Sequence, residues 1–180
     1  GEALARKRAK RPAQADPFAL ETRWFRRRFG QALQADFDCH ACGGPIAEAM
    51  KCCPWCGTDR NAFTYVTSYP LVCPDCERGV RPEWTACPWC ATARLEGNGK
   101  RPPVDRRAER TCRRKGCEGQ LRPFMRYCPV CKTKVARPWK VESVPPCPSC
   151  RWPMAPRWRY CGWCGRKNAA ALSIGRSPGR

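Results

Sequence analysis

One segment of the chain spaces its apolar residues as an amphipathic helix does, on one face of the 3.6-residue turn. The positions on this face recur every three or four residues, and they are Phe18, Thr22, Phe25, Phe29 and Leu33. Asp16 before Pro17 is typical of a helix start, with Asp as N-cap and Pro as the first helical residue. The pattern predicts one amphipathic helix within residues 16–38, roughly over 17–34. We expect it to pack on the first folded module. The alternatives are a partner-binding helix and a basic helix at a membrane surface.

Beyond the helix, two short stretches have the character of strands. Residues 64–67 read Thr-Tyr-Val-Thr, which are types that favour strands, and we expect such connecting segments to add strands. Residues 157–160 alternate arginine with an aromatic residue. Since successive side chains of a strand point to opposite faces, Arg157 and Arg159 should share one face and Trp158 and Tyr160 the other.

The aliphatic content is too low for one large hydrophobic core. Leu, Ile, Val and Phe together number 23 of 180 residues, well below the level of a packed globular domain. Domains of fewer than about 40 residues usually need metals or disulfides to fold. The chain has 17 cysteines, which can supply either.

The cysteines fall into eight close pairs with a regular spacing. Ten residues separate the two pairs of each couple, and 16, 21 and 15 residues separate the couples. Four couples result: Cys39/Cys42 with Cys53/Cys56, Cys73/Cys76 with Cys87/Cys90, Cys112/Cys117 with Cys128/Cys131, and Cys147/Cys150 with Cys161/Cys164.

This spacing favours four zinc ions, each held by four thiolates. Zn²⁺ takes tetrahedral sulfur ligands, and two Cys-x-x-Cys knuckles facing each other across a short hairpin provide them. Disulfides fit an odd number of cysteines in near-neighbour pairs poorly. A thioredoxin-like redox motif needs a βαβ context, which the sequence lacks. Iron in a rubredoxin-like site remains an alternative to zinc.

The arrangement resembles the double zinc ribbon family, whose repeat is Cys-Pro-x-Cys-Gly, ten residues, then aromatic-Cys-Pro-x-Cys-Gly. The resemblance covers residues 39–164, about 70% of the chain. It departs at Cys112–Cys117, where the knuckle is two residues longer, and at Cys52, which stands where the aromatic residue should be. We predict a small metal-stabilised fold of mostly short β-hairpins (zinc ribbons) with one N-terminal α-helix and little conventional hydrophobic core.

Two further residues could compete for the metal. Cys52 neighbours Cys53 on a strand, so its side chain should point away from the metal and serve as a small packing residue. A swap of Cys52 into the site is the alternative. His40 lies inside the first knuckle. Because four cysteines are already available there, we interpret His40 as a surface residue rather than a ligand.

An internal duplication relates residues 39–90 to residues 112–164. Met50 matches Met125, and Trp84 matches Trp158, each three residues before a third ligand. We interpret the tryptophans as caps of zinc sites or parts of a small core, with exposed stacking surfaces as the alternative. The predicted order is a basic disordered tail (1–15), the helix, a first module (39–90), a flexible charged linker (91–111), a second module (112–164) and a basic tail (165–180). We expect the two modules to behave as separate bodies.

The two modules differ in charge. The chain has a formal net charge of +20, which sixteen thiolates and four Zn²⁺ would lower to about +12. Residues 39–90 hold 4 Lys/Arg against 5 Asp/Glu, and residues 112–164 hold 12 against 2. Basic groups beside aromatic ones suit single-stranded nucleic acid. The candidate contacts are Arg113, Arg114, Lys115, Arg151, Arg157 and Arg159. Alternatively, the cations only offset thiolate charge, or bind acidic proteins or lipid head groups.

The sequence indicates binding rather than catalysis. It has one His, no carboxylate pair near it and no Gly-rich phosphate loop, and zinc sites with four protein ligands leave no open position. We expect a non-enzymatic cytoplasmic adaptor without a transmembrane segment or secretory signal. Its second module and tails would bind nucleic acid, with RNA or the ribosome favoured. The alternative is a protein–protein scaffold, or the accessory region of a larger signalling or enzyme assembly, that holds its partner through residues 16–90. No small-molecule substrate is expected.

Overall fold

The computed structural model of the chain describes residues 17–63, 67–92 and 94–173. Several predicted features lie outside these ranges: the basic tail of residues 1–15, the N-cap at Asp16, most of the strand-type stretch 64–67, and the last residues of the C-terminal tail, 174–180.

The predicted N-terminal helix forms, and its apolar face is buried. Helix α1 spans Pro17–Phe25 and continues as a wider π-helical turn over Arg26–Gly30. Phe25, Phe29 and Leu33 are buried, as the spacing predicts. The Phe25 ring lies 5.3 Å from the ring of Trp55 and 5.6 Å from that of Trp158. The helix therefore packs on both halves of the chain and not on the first module alone.

Each cysteine couple lies on two short hairpins, which we call a ribbon. Ribbon 1 covers residues 39–56, ribbon 2 covers 73–90, ribbon 3 covers 112–131 and ribbon 4 covers 147–164. Three first knuckles sit on antiparallel strand pairs, β1 (Phe37–Asp38) with β2 (Pro45–Ile46), β3 (Leu71–Val72) with β4 (Gly79–Val80), and β5 (Arg110–Thr111) with β6 (Gln120–Leu121). Single bridges take the place of strands at the other knuckles, joining Pro146 to Pro153, Cys52 to Asp59, Ala86 to Arg94, Tyr127 to Lys134 and Tyr160 to Lys167. A 3₁₀ turn (Arg60–Ala62) follows ribbon 1, and a short helix α2 (Ala169–Ser173) follows ribbon 4.

The ribbons pair through reciprocal main-chain hydrogen bonds. In ribbon 1 the amides of Lys51 and Cys52 donate to the carbonyl of Gly162 in ribbon 4, at 2.8 and 3.3 Å. In return, Arg159 and Tyr160 of ribbon 4 donate to Pro54 of ribbon 1, at 2.9 and 3.0 Å. Ribbons 2 and 3 repeat this arrangement: Thr85 and Ala86 donate to Pro129, while Arg126 and Tyr127 donate to Pro88. Ribbon 1 thus pairs with ribbon 4, and ribbon 2 with ribbon 3.

This pairing corrects the expectation of two separate bodies, because both pairs join one half of the duplication to the other. The linker is also held in place. The Asp105 amide donates to the Gln120 side chain at 2.7 Å, and its carboxylate accepts from Arg122 Nε at 2.6 Å. The bounds of the predicted modules remain predictions, but residues 91–111 do not act as a flexible spacer in this structure.

The buried interior is shared by all four ribbons and is mainly aromatic. The ring of Trp152 lies 5.9 Å from that of Trp89 and 5.1 Å from that of Trp163. Trp84 and Trp158 are buried as well. The packing interpretation of these tryptophans is therefore confirmed, and their use as exposed stacking surfaces is wrong. Few aliphatic residues are needed, since indole rings bury large apolar areas.

None of the helices in the described ranges has both the length and the apolar character needed to span a bilayer.

Candidate metal centres

The sixteen predicted ligands form four tetrads in the described part of the chain, and in each tetrad all four Sγ atoms lie within 4.8 Å of one another. The Sγ atom of the first ligand lies close to that of the fourth, and the Sγ atom of the second lies close to that of the third. In ribbon 1, for example, Cys39 Sγ lies 3.7 Å from Cys56 Sγ, and Cys42 Sγ lies 3.7 Å from Cys53 Sγ. The corresponding distances in the other ribbons are 3.6 to 3.8 Å.

These distances fit zinc and exclude disulfides. A tetrahedron with Zn–S bonds of about 2.3 Å has edges of about 3.8 Å, close to every Sγ···Sγ distance quoted above. A disulfide would bring two sulfurs to about 2.05 Å. All seventeen cysteines lie in the described ranges, and none forms a disulfide. Four Zn²⁺ ions, one per tetrad, are therefore the cofactors of this chain, and each would be held by thiolates alone.

The main chain of each knuckle is shaped to present its sulfurs. In the first knuckle, Cys39 N donates to Gly44 O at 2.8 Å and Gly43 N donates to Cys39 O at 2.7 Å. This turn requires a positive φ just after the second cysteine, which is 71° at Gly43. It directs the Gly44 amide toward Cys42 Sγ at 3.4 Å. The same position is filled by non-glycine residues elsewhere, for example Lys132 with a φ of 62°.

A threonine hydroxyl contacts the fourth ligand in three of the ribbons. Thr58 Oγ1 lies 3.0 Å from Cys56 Sγ, and Thr92 and Thr133 lie 3.1 Å from Cys90 and Cys131. Burial would raise the pKa of Cys56, but hydrogen bonds from Thr58 and the neighbouring cysteines lower it to about 7. These contacts favour the thiolate that binds zinc. The recurring Cys-x-Thr after a fourth ligand was a visible sequence signal that the spacing analysis missed.

Tryptophan closes the hairpin in three ribbons. Two residues after the third ligand, an indole N–H donates to the carbonyl of a strand or bridge residue: Trp55 to Pro45 at 2.9 Å, Trp89 to Gly79 at 2.8 Å, and Trp163 to Pro153 at 2.8 Å. Ribbon 3 has Val130 at this position.

Neither additional candidate ligand belongs to a tetrad. Cys52 is buried, and its thiol donates to the carbonyl of Cys161 at 3.6 Å, across the ribbon 1–ribbon 4 pair. Burial raises its pKa to about 11, which keeps the thiol protonated. His40 is exposed. The interpretation of Cys52 as a packing residue and of His40 as a surface residue is consistent with these positions.

A buried charged network, which sequence reasoning missed, lies where ribbons 1 and 3 meet the linker. Arg122 donates from Nη1 to Glu48 at 3.1 Å, from Nε to Asp105 at 2.6 Å and from Nη2 to the Ser68 hydroxyl at 3.1 Å. Only 6% of each of the Arg122 and Glu48 side chains is exposed. Burial would raise the pKa of Glu48, but hydrogen bonds from Thr67, Ser68 and Arg122 hold it below its usual value.

The six candidate nucleic-acid contacts are all exposed, but they do not form one surface. Arg113, Arg114 and Lys115 project from the long knuckle of ribbon 3. Arg157 pairs with Glu21 of α1 at 2.9 Å, and the Arg159 guanidinium lies 5.9 Å from the Phe18 ring. The predicted alternation holds there, since Trp158 is buried between them. Arg151 instead lies at a groove between ribbons 3 and 4.

Comparison with known proteins agrees with this geometry. Residues 39–91 match the family described as Double zinc ribbon. No curated protein and no solved structure matches the chain. Residues 112–164 repeat the tetrads and the ribbon geometry of the matched segment. Residues 39–91 are thus similar to the double zinc ribbon, and the chain carries four Cys₄ zinc sites in all.

Proposed function

We propose that this chain is a non-enzymatic zinc-binding adaptor whose basic second module and tails bind nucleic acid, with single-stranded RNA favoured. The zinc ions hold the ribbons in shape, and the exposed side chains make the contacts. The observation that carries the proposal is a groove between ribbons 3 and 4.

This groove has a volume of about 570 Å³ and combines cations with aromatic rings. Arg126, Lys134, Lys140 and Arg151 line it, and no acidic residue of the described ranges does. Tyr127 and Trp139 contribute half-buried rings, and the Arg126 guanidinium lies 4.8 Å from the ring of the buried Trp152. Unpaired bases bind between aromatic and guanidinium planes while their phosphates meet cations. The groove supplies both kinds of group.

The use of basic residues differs between the two halves. In residues 39–90, Arg60 and Arg78 are buried and bind main-chain carbonyls. In residues 112–164, ten of the twelve Lys/Arg side chains are exposed. Buried arginines serve the fold, whereas exposed cations supply the electrostatic attraction on which phosphate binding depends. The asymmetry of net charge is therefore also an asymmetry of accessible charge.

The test is a salt titration of RNA binding with the whole zinc-loaded chain. The probe is a fluorescein-labelled oligouridylate, followed by anisotropy. We expect the logarithm of affinity to fall linearly with the logarithm of salt concentration. The groove variant Lys134→Glu, Lys140→Glu, Arg151→Glu should bind at least about tenfold more weakly. Its slope should flatten by about 2, since three phosphate contacts on a single strand are lost.

A matched variant separates the groove from general charge. Arg23→Glu, Arg27→Glu, Lys100→Glu changes the net charge equally at exposed positions outside the groove. It should keep most of the affinity. Equal loss in both variants, or no binding at low salt, would remove the support for this proposal.

A protein–protein scaffold is the second candidate, favoured by the outer face of α1. Leu20 and Trp24 are 52% and 40% exposed there, next to an otherwise basic surface. If RNA binding fails the test above, we expect a protein partner to bind this face. Substitution of Leu20 and Trp24 by Ser should then abolish binding of that partner.

A further inference from the structure

Ribbon 3 lacks the tryptophan that closes the other three hairpins. In those ribbons the indole is buried and donates to a strand carbonyl. The acceptors Pro45 and Gly79 each stand opposite the residue just before the first ligand, Asp38 and Val72. In ribbon 3, Gln120 occupies this register position opposite Thr111. The acceptor position is therefore retained, while the donor is replaced by Val130.

A cavity lies beside Val130, the residue that replaces the tryptophan. It has a volume of about 590 Å³, and its lining includes both Val130 and Gln120. The Gln120 side chain fixes the linker segment that forms one wall of the cavity. It accepts a hydrogen bond from Asp105 N at 2.7 Å and donates one to Pro103 O at 2.9 Å. Val130 is 42% exposed and Val104, on the same cavity, is 87% exposed. Two apolar side chains of this cavity are thus open to solvent.

The rim of this cavity is basic. Arg101, Arg114 and Lys115 line it, together with one acidic residue of the described chain, Glu118, which is paired with Arg101. Arg114 and Lys115 are exposed. A ligand that complements the site therefore has an aromatic donor at its centre and negative charge around it.

We propose that this cavity, the indole pocket, binds a tryptophan side chain within an acidic segment of a partner protein. The partner's indole would lie on Val130 and direct its N–H to the strand at Gln120, as the chain's own indoles do in ribbons 1, 2 and 4. A buried aromatic anchor with a charged rim is a common form of binding hot spot.

A second copy of the chain fits the pocket less well. Its most exposed indole, Trp24, lies between Arg23 and Arg26, and Trp139 precedes Lys140. Both segments would bring like charge to the basic rim, which opposes docking.

The test uses the whole zinc-loaded chain and a labelled peptide, Asp-Glu-Asp-Trp-Glu-Asp-Glu, with Ala for Trp as the control peptide. At about 0.15 M salt the Trp peptide should bind at least about tenfold more tightly than the Ala peptide. Val130→Trp fills the pocket from within and should lower binding of the Trp peptide to that of the Ala peptide, with four zinc ions retained. Val72→Trp, at a valine 36% exposed in strand β3 just before ribbon 2, should leave binding unchanged.

A measurement on the unmodified chain keeps the test independent of how the variants fold. Ring currents from the Trp peptide should shift the methyl resonances of Val130, and the Ala peptide should not shift them. Equal binding of both peptides, undiminished binding to Val130→Trp, or unshifted Val130 methyl groups would overturn the proposal. The proposal would also be overturned if Val130→Trp lost binding of oligouridylate but not of the Trp peptide, because the pocket would then bind a base.

Discussion

The guanidinium of Arg122 donates to the carboxylate of Glu48 at 3.1 Å, joining ribbon 3 to ribbon 1. Both side chains are almost fully buried. Glu48→Gln would remove one of the two carboxylates that contact Arg122, the other being Asp105 at 2.6 Å, and the loss of one charge-assisted hydrogen bond costs about 2 kcal/mol. We expect the free energy of unfolding to fall by that amount in a denaturant titration at saturating zinc. Glu142→Gln, at an exposed position, should change it little.

The pH dependence of this loss follows from the direction of the Glu48 shift. Burial would raise the pKa of Glu48, but its hydrogen bonds lower it below 4.5 in the folded protein. A lowered folded-state pKa gives stability that is complete above the unfolded value and is lost as the pH falls through the folded value. The deficit of Glu48→Gln against the unsubstituted chain should therefore be constant from about pH 8 to about pH 6. A deficit that shrinks within this range would contradict the assignment.

Zinc stoichiometry tests the tetrads. Native mass spectrometry should find four zinc ions per chain, and chelation should unfold the ribbons, since metal affinity here is folding free energy. Cys87→Ser should leave three ions. Cys52→Ser should leave four, because Cys52 lies outside the tetrads. Loss of an ion from Cys52→Ser would show that the thiol can replace a ligand.

Glycine should be the more stable residue after the second cysteine of a knuckle, so that introducing it and removing it have opposite effects. Lys132 holds a φ of 62°, which costs a side-chain-bearing residue about 1 kcal/mol. Lys132→Gly should therefore stabilise the chain by about 0.5 kcal/mol, after the entropy that glycine adds to the unfolded state. At Gly43 a Cβ would meet nothing within 4 Å, so Gly43→Ala should cost about 1 kcal/mol through conformation alone. Thermal unfolding at saturating zinc measures both, and equal signs would contradict the argument.

Cleavage of the linker should not release two separate halves. Lys100 is exposed, so a protease that cuts after lysine can reach it. Because ribbon 1 pairs with ribbon 4 and ribbon 2 with ribbon 3, the fragments should stay together in size-exclusion chromatography until denaturant or a chelator is added. Separate elution of zinc-loaded fragments under native conditions would refute the pairing.

The features predictable from sequence are those built from near neighbours. The sixteen ligands follow from spacing alone, and the buried face of α1 follows from the periodicity of Phe25, Phe29 and Leu33. The pairing of ribbons was not predictable, because it depends on main-chain carbonyls at Pro54 and Gly162, and carbonyls have no residue-type signature. Glu48 and Arg122 are 74 positions apart, and an isolated acidic or basic residue gives no indication of its partner.

The pair of ribbons 2 and 3 lies, in sequence, between the two members of the pair of ribbons 1 and 4. This order has a consequence while the chain is being synthesised. Ribbon 3 can pair with ribbon 2 soon after it leaves the ribosome. Ribbon 1 is synthesised before the other ribbons, but it cannot pair until ribbon 4 has been synthesised. In a nascent chain that stops after ribbon 3, the amides of Lys51 and Cys52 and the carbonyl of Pro54 would lack their partners in ribbon 4. Helix α1 would also lack the contact of Phe25 with Trp158. A premature stop there should leave ribbon 1 and α1 accessible to chaperones and proteases, although their own sequence is unchanged.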